Sequence, residues 1–175
     1  MKYCEIKNMD VGNGPGIRVS LFVSGCKFNC KGCFNQEAQN FDYGQEFTEE
    51  TKKKILEQIS RPYVAGLSIL GGDPLWQSYD GMLNLAKLAF EVRQMGKTVW
   101  IWSGFQWEDI MIKNAPADSI DFARCALVLL CDVFVDGRFV KNFKDLSLKW
   151  RGSRNQRVID VQASKKTGGL VLYEE

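Results

Sequence analysis

A short loop with three cysteines is the stretch of this sequence best suited to chemistry. Cys26, Cys30 and Cys33 are separated by three and then by two residues. Thiolates this close in sequence can converge on one soft metal centre, such as a zinc ion or an iron–sulfur cluster. Three ligands from one loop leave a fourth coordination position to be filled. The spacing therefore predicts a metal site at these three cysteines.

Two kinds of metal centre fit three thiols. A structural zinc site is nearly always closed by four protein ligands, drawn from cysteine and histidine. The sequence has no histidine, so a zinc site would need an aspartate or a distant thiol from Cys4, Cys125 or Cys131. An iron–sulfur cube with three thiolate ligands can bind an external molecule at its fourth iron. The loop thus favours an open iron–sulfur cluster over zinc, with structural or redox thiols as a third possibility.

Length and composition indicate a single-domain protein and argue against nucleic-acid binding and membrane insertion. Its 175 residues, of which 45% are hydrophobic, are long enough for a real core and suggest a single domain over 1–175. The 23 basic and 21 acidic residues are well mixed, unlike the basic stripe of a nucleic-acid binder. No apolar stretch approaches the roughly 18 residues of a membrane helix, and no signal-peptide core is present. We expect a cytoplasmic protein with reduced thiols that binds neither nucleic acid nor membrane.

The elements that must position the loop alternate between strands and helices. Thr48 is predicted to cap the first helix, which ends near Arg61. The last residues, 158–161 and 170–172, could pair as a hairpin. The predicted strands are 17–23, 67–70, 98–102 and 133–135, and the other predicted helices are 80–95, 107–113 and 118–130, although 126–130 could also be a strand.

Alternating strands and helices imply parallel βαβ units, whose chemistry collects at the carboxyl ends of the strands. The predicted strands end at the cysteine loop, at Gly71-Gly72-Asp73, at Ser103-Gly104 and at Asp136-Gly137. We therefore expect four distant loops to form one cofactor site at one edge of the sheet. Four βα units are too few for a closed eight-stranded barrel. The expected fold is α/β, an incomplete TIM-like barrel with an open side.

The cysteine spacing after the first strand resembles the signature of the radical S-adenosylmethionine (SAM) superfamily. More narrowly, the chain resembles the activating enzymes of anaerobic (class III) ribonucleotide reductases. The matching segments cover nearly the whole length and are 13–16, 22–26, 71–75, 100–104, 135–139 and 150–157. The segment 150–157 is the one that points to this particular family.

The resemblance implies a radical SAM core with a definite cofactor site. The three cysteines would ligate a [4Fe–4S] cluster whose open iron chelates the amino and carboxylate groups of SAM. Residues beside the last cysteine could touch the adenine, glycines that lack a Cβ could approach the amino-acid part, and a serine could bond the ribose. The residues expected to contact SAM are Gly32, Cys33, Phe34, Gly71, Gly72, Asp73 and Ser103.

The resemblance also implies a reaction and its partners. One electron from the reduced cluster would cleave SAM into methionine and a 5′-deoxyadenosyl radical. In this family that radical takes a hydrogen from a glycine near the C-terminus of the reductase. The implied protein is an oxidoreductase whose partners are the catalytic subunit of the anaerobic reductase and an electron donor such as flavodoxin or ferredoxin.

Three alternatives remain open at the level of the sequence. A formate-lyase-type activase or a small-molecule enzyme such as a deazaguanine synthase would keep the superfamily and change the substrate. A zinc-stabilised interaction module would remove the enzymatic function altogether. A short chain leaves the barrel open on one side, which suits a macromolecular substrate that delivers a loop. The sequence therefore favours the activase.

Overall fold

The computed structural model describes residues 1–112 and 114–174 as a β-sheet with helices, which confirms the predicted α/β class. The strands within these residues are β1 (Lys2–Asp10), β2 (Ile17–Val23), β3 (Gln45–Glu46), β4 (Val64–Gly71), β5 (Thr98–Trp102), β6 (Val133–Asp136) and β7 (Arg157–Asp160). The α-helices are α1 (Glu49–Ile59), α2 (Tyr79–Gln94), α3 (Trp107–Ile110), α4 (Ile120–Leu129) and α5 (Val161–Thr167).

The strands form one sheet in the order β3-β1-β2-β4-β5-β6-β7. Neighbours among β2, β4, β5 and β6 run parallel, as expected for βα units. At one edge β1 and β3 are antiparallel, and at the other edge β7 is antiparallel to β6. The sheet is therefore mixed rather than wholly parallel. The α/β class holds, whereas the incomplete TIM-like barrel is not confirmed.

The register of the parallel strands brings their carboxyl ends together. Val23, the last residue of β2, pairs with Gly71, the last residue of β4. Further along the sheet, Trp102 at the end of β5 pairs with Val135 near the end of β6. The loops that follow these four strands therefore leave the sheet at one edge, as the sequence predicted.

The two faces of the sheet have different character. One face contributes alternate apolar residues, such as Val19 and Leu21, to a core shared with the helices. On the other face Arg18 is fully buried, and its guanidinium donates to Ser68 Oγ at 2.7 Å and to the carbonyl oxygen of Leu67 at 2.7 Å. Burial lowers the pKa of Arg18 to about 10. This face thus holds a buried, hydrogen-bonded arginine beside a second apolar cluster around Trp100.

Local signals account for the ends of the first two helices. Thr48 Oγ1 accepts a hydrogen bond from the Thr51 amide at 3.2 Å, which confirms the predicted cap of α1. Ser78 caps α2 in the same way, accepting from the Gly81 amide at 3.1 Å. Gly96 follows α2 with φ +72°, a left-handed conformation that glycine adopts without strain. The predicted helix 80–95 is therefore correct to within one residue at each end.

Three predictions need correction in the second half of the chain. Residues 126–129 belong to α4 and do not form a strand, because the helix capped by Ser119 continues through them. The helix predicted over 107–113 is confirmed only for Trp107–Ile110, and Lys113 lies outside the described residues. The terminal segments do not form a simple hairpin, since α5 intervenes, although Ile159 and Leu172 still form an antiparallel bridge.

No helix within residues 1–112 and 114–174 has both the length and the apolar character needed to cross a membrane.

Candidate functional site

The cysteine loop is anchored where it leaves β2. Gly25 has φ +105°, and a Cβ there would lie 2.2 Å from the ring of Phe41, so only glycine fits. Its amide donates to the carbonyl oxygen of Ala38 at 2.7 Å, and the Cys26 amide donates to that of Gln39 at 3.0 Å. The short 3-10 helix Glu37–Gln39 that follows the loop thus holds the loop's first residues in place.

The thiols of Cys26, Cys30 and Cys33 are half-buried and line one cavity of about 570 Å³. All three thiols are free of disulfides. Burial raises the pKa of Cys26 to about 12, and burial also raises the pKa of Cys30. Among the described residues, no three Cys, Asp or Glu side chains form a group that could hold a metal ion. The thiols therefore face a shared space without closing around a single point.

The turn after β4 forms a second wall of this cavity and has no room for side chains. Gly71 has φ +111°, and a Cβ there would lie 2.5 Å from the carbonyl oxygen of Val23. A Cβ at Gly72 would lie 2.5 Å from the carbonyl oxygen of Ala38 and 2.6 Å from that of Gly25. Glycine at both positions is what lets β4 approach the start of the cysteine loop.

Asp73 completes this turn with a buried carboxylate. The carboxylate accepts hydrogen bonds from Ser103 Oγ at 2.8 and 2.9 Å, from the Gly104 amide at 2.8 Å and from the Leu75 amide at 2.8 Å. Burial raises the pKa of Asp73 to about 6, although these donors act in the opposite direction. The end of β4 is thereby tied to the end of β5.

All of the residues predicted from the sequence to bind the cluster or SAM line this one cavity. Phe34 lies at the rim and is 96% exposed, whereas Asp73 is only 2% exposed. The predicted residues that the structure brings together are Cys26, Cys30, Gly32, Cys33, Phe34, Gly71, Gly72, Asp73 and Ser103.

Other residues of the cavity wall were not predicted as site residues. They come from the cysteine loop, from the turns after β5 and β6 and from the late segment 150–157. Arg138 and Phe139 fall within the matching segment 135–139, which was the available signal for them. These additional wall residues include Phe28, Gly104, Arg138, Phe139, Arg151 and Gln156.

The late segment braces the turn after β6 from within the protein. Gln156 Oε1 accepts from the Gly152 amide at 2.9 Å, and Gln156 Nε2 donates to the carbonyl oxygen of Gly137 at 2.9 Å. Arg157 pairs with the buried carboxylate of Asp136 and with Glu108. Asp136 Oδ2 also accepts from the amide at the start of α3. These bonds give the segment a structural role in holding one wall of the cavity.

A comparison with known protein families identifies the class of domain to which this chain belongs. The chain matches the 4Fe-4S single cluster domain over residues 12–159, a range that includes the three cysteines and the strands around them. The geometry and this match together define a protein with a single iron–sulfur cluster domain.

Relatives narrow the class to one family. A Salmonella typhi protein named anaerobic ribonucleoside-triphosphate reductase-activating protein is 38% identical over 161 residues, covering 90% of this chain and 97% of the relative. Proteins of the same name from Enterobacteria phage T4 and Escherichia coli (strain K12) are 38% and 36% identical, covering 90% of this chain and 93% and 97% of the relatives. This chain belongs to the family of anaerobic ribonucleoside-triphosphate reductase-activating proteins, as the resemblance predicted.

Proposed function

We propose that this protein is a radical SAM activase. It would reductively cleave SAM at a [4Fe–4S] cluster and generate a glycyl radical on the catalytic subunit of an anaerobic ribonucleotide reductase. The observation that carries the proposal is the single cavity shared by the three cysteines and the glycine-rich ends of β4 and β5. The names of the relatives support the same partner.

The residues present fit an iron–sulfur cluster. Iron–sulfur clusters take thiolate ligands, and the loop offers three of them beside a cavity in a chain without histidine. Each cysteine of such a cluster binds a different iron, so the three sulfurs need not converge on one point as they would around zinc. When bound, the cluster supplies the electron that cleaves SAM. The protein supplies Cys26, Cys30 and Cys33 as ligands and a half-buried environment for them.

The cavity also suits SAM. Its volume of about 570 Å³ falls among pockets that hold small molecules, which span roughly 300–1,000 Å³. Gly71 and Gly72 allow the amino-acid part of SAM to approach the backbone, while Gly32 and Phe34 stand beside the last cysteine for the adenine. Ser103 belongs to the same wall. In this arrangement the chain orients SAM and excludes water from the reacting atoms.

The fold supports the same reading. We propose that the sheet and its helices form one radical SAM domain, an incomplete TIM-like barrel extended by antiparallel strands at its edges. Its support is that the four parallel strands end at one edge, where the cavity lies. An open side would admit the glycine-bearing segment of the reductase. An electron donor such as flavodoxin or ferredoxin would reduce the cluster in the cytoplasm, with no part for nucleic acid or membrane.

The proposal is tested first by analysis of protein purified without oxygen. We expect about four irons and four sulfides per chain, as in a [4Fe–4S] cluster. The electron paramagnetic resonance (EPR) signal of the reduced protein should change when SAM is added, and 5′-deoxyadenosine should form. Cys26→Ala, Cys30→Ala and Cys33→Ala should each abolish this product. Cys125→Ala is the matched control, because Cys125 does not line the cavity.

A second measurement identifies the partner. Glycyl radical should appear by EPR on a purified anaerobic ribonucleotide reductase and not on a formate-lyase-type protein. One tightly held zinc per chain with no iron would indicate that the cysteine loop is a structural zinc site, and the proposed enzymatic function would then be refuted. Full activity in any of the three cysteine variants would also overturn the proposal.

A further inference from the structure

The carboxylate of Asp73 is committed to the protein itself. It is 2% exposed, and its oxygens accept from the amides of Leu75 and Gly104 and from Ser103 Oγ. Ser103 Oγ in turn accepts from the Phe105 amide at 3.1 Å. Two side chains that the sequence pointed toward SAM are therefore bonded to each other and to backbone.

The turn that Asp73 holds lies directly against the cysteine loop. A Cβ at Gly104 would be 2.5 Å from Cδ2 of Phe28, a residue placed between the first two cysteines. The Phe28 ring also packs edge-on against Phe105, with 4.9 Å between ring centroids, and against Trp76, with 5.4 Å. Any displacement of Gly104 or Phe105 would therefore displace Phe28 and the loop that carries it.

We propose that Asp73 is a positioning residue. Its carboxylate fixes the turn 103–105 against Phe28 and so sets the position of the cysteine loop, instead of contacting SAM directly. The inference rests on the proposed function, because the loop positioned in this way is the one that would hold the cluster. It assigns Asp73 a role that acts through Gly104 and Phe28.

Asp73→Asn is the main test because it keeps the shape of the side chain. An amide offers one oxygen and an NH2 group in place of two acceptor oxygens. Either the Leu75 amide or the Gly104 amide would then face a donor and lose its bond. We expect faster amide hydrogen exchange in peptides covering 26–33 and 103–106 of the metal-free protein, which is a readout independent of the cluster.

Asp10→Asn is the matched control at the other end of the parallel strands. The backbone of Asp10, in β1, lies opposite that of Arg18 at the start of β2, and the Asp10 carboxylate accepts a hydrogen bond from the Gly12 amide at 2.8 Å. This variant should lose a similar bond while exchange in 26–33 stays as in the unchanged protein. Gly104→Ala should reproduce the effect of Asp73→Asn, since the added Cβ must push Phe28 aside. Ser103→Ala, which removes only the hydroxyl, should give a smaller change in the same direction.

The second readout is SAM binding by the cluster-loaded protein, followed by the change in the EPR signal. We expect about tenfold weaker binding in Asp73→Asn and in Gly104→Ala, with iron content near that of the unchanged protein; tenfold corresponds to about 1.4 kcal/mol. Asp10→Asn should bind SAM normally. If both substitutions act through Phe28, the double variant should bind no more weakly than the weaker single variant.

The outcomes separate the two roles. Weaker SAM binding in Asp73→Asn without faster exchange in 26–33, or losses that multiply in the double variant, would indicate direct contact and overturn the proposal. Unchanged exchange and unchanged binding would overturn it as well. If Asp73→Asn does not fold, Gly104→Ala and Ser103→Ala carry the same test. Absence of iron from the unchanged protein would refute the proposed function, while the exchange measurements would still decide the role of Asp73.

Discussion

Gly72 is a residue of the cavity wall with no room for a side chain. A Cβ there would meet two carbonyl oxygens, at 2.5 Å from Ala38 and 2.6 Å from Gly25, and backbone atoms cannot move aside as a flexible side chain can. Overpacking of this kind typically costs about 1–3 kcal/mol. We predict that Gly72→Ala lowers the free energy of unfolding of the metal-free protein by about that amount, measured by urea denaturation, and reduces the iron bound per chain.

Gly169→Ala provides the control for Gly72→Ala. Gly169 is exposed, does not require a positive φ, and has no atom within 4 Å of an added Cβ. The control should leave the urea midpoint and the iron content unchanged. Equal stability of the two variants would contradict the packing argument.

At the level of residues, the sequence predicted which groups gather but not the hydrogen bonds between two of them, Asp73 and Ser103. The roles of the cysteines and glycines can be predicted from the sequence, because three closely spaced thiols indicate a metal site and paired glycines at the end of a strand indicate a close approach of backbones. The commitment of Asp73 and Ser103 to each other was not visible. It depends on Asp73 meeting residues that lie 30 and 31 positions further along the chain, and only the assembled sheet determines these contacts.

At the level of elements, the pairing of Arg157 with Asp136 connects β7 to β6 and, through Glu108, to α3. Asp136 is 1% exposed, so removal of its cation leaves a buried charge without its partner. Breaking buried pairs costs about 3–5 kcal/mol, and because Arg157 is partly exposed we expect somewhat less here. We predict that Arg157→Ala lowers the free energy of unfolding by about 2–4 kcal/mol in urea denaturation.

Arg61→Ala is a control with the same change of side chain. The Arg61 guanidinium donates to the hydroxyl of Tyr63 at the exposed surface. Surface substitutions of this kind usually fall within about 0.5 kcal/mol. A loss of stability in Arg157→Ala no larger than that in Arg61→Ala would mean that the ion pairs of Arg157 are not needed to hold β7 in the sheet.

The elements that the sequence predicted correctly are those with a local signal. The strands β2, β4, β5 and β6 are short apolar runs, and α1 and α2 have their own caps. The first strand was missed because Lys2–Asp10 has mostly exposed or half-buried side chains, so it lacks a strong apolar pattern. The antiparallel direction of β7 depends on its pairing with β6, which no local signal encodes.

At the level of the whole molecule, the two ends of the parallel strands serve different purposes. The carboxyl ends carry the cavity, and the amino ends lie beside Asp10 and the loop 11–16 that leads into β2. A large partner must therefore approach the carboxyl ends of the strands in order to reach the cysteine loop. The rim there includes Leu146, which is 88% exposed, together with the exposed side chain of Lys144.

Because Leu146 lies at the rim of the proposed active site, we infer that it contacts the reductase. We predict that Leu146→Ser lowers the yield of glycyl radical on the reductase about tenfold at limiting protein concentration, measured by EPR, because a buried contact of about 1.4 kcal/mol is lost. Cleavage of SAM without the reductase, followed as 5′-deoxyadenosine, should be unchanged. Val11→Ser is the control, since Val11 is 74% exposed and follows Asp10 at the other end of the parallel strands. Equal radical yields for the two variants would exclude this rim as the docking surface, and a parallel fall in both activities of Leu146→Ser would place its effect in the cavity itself.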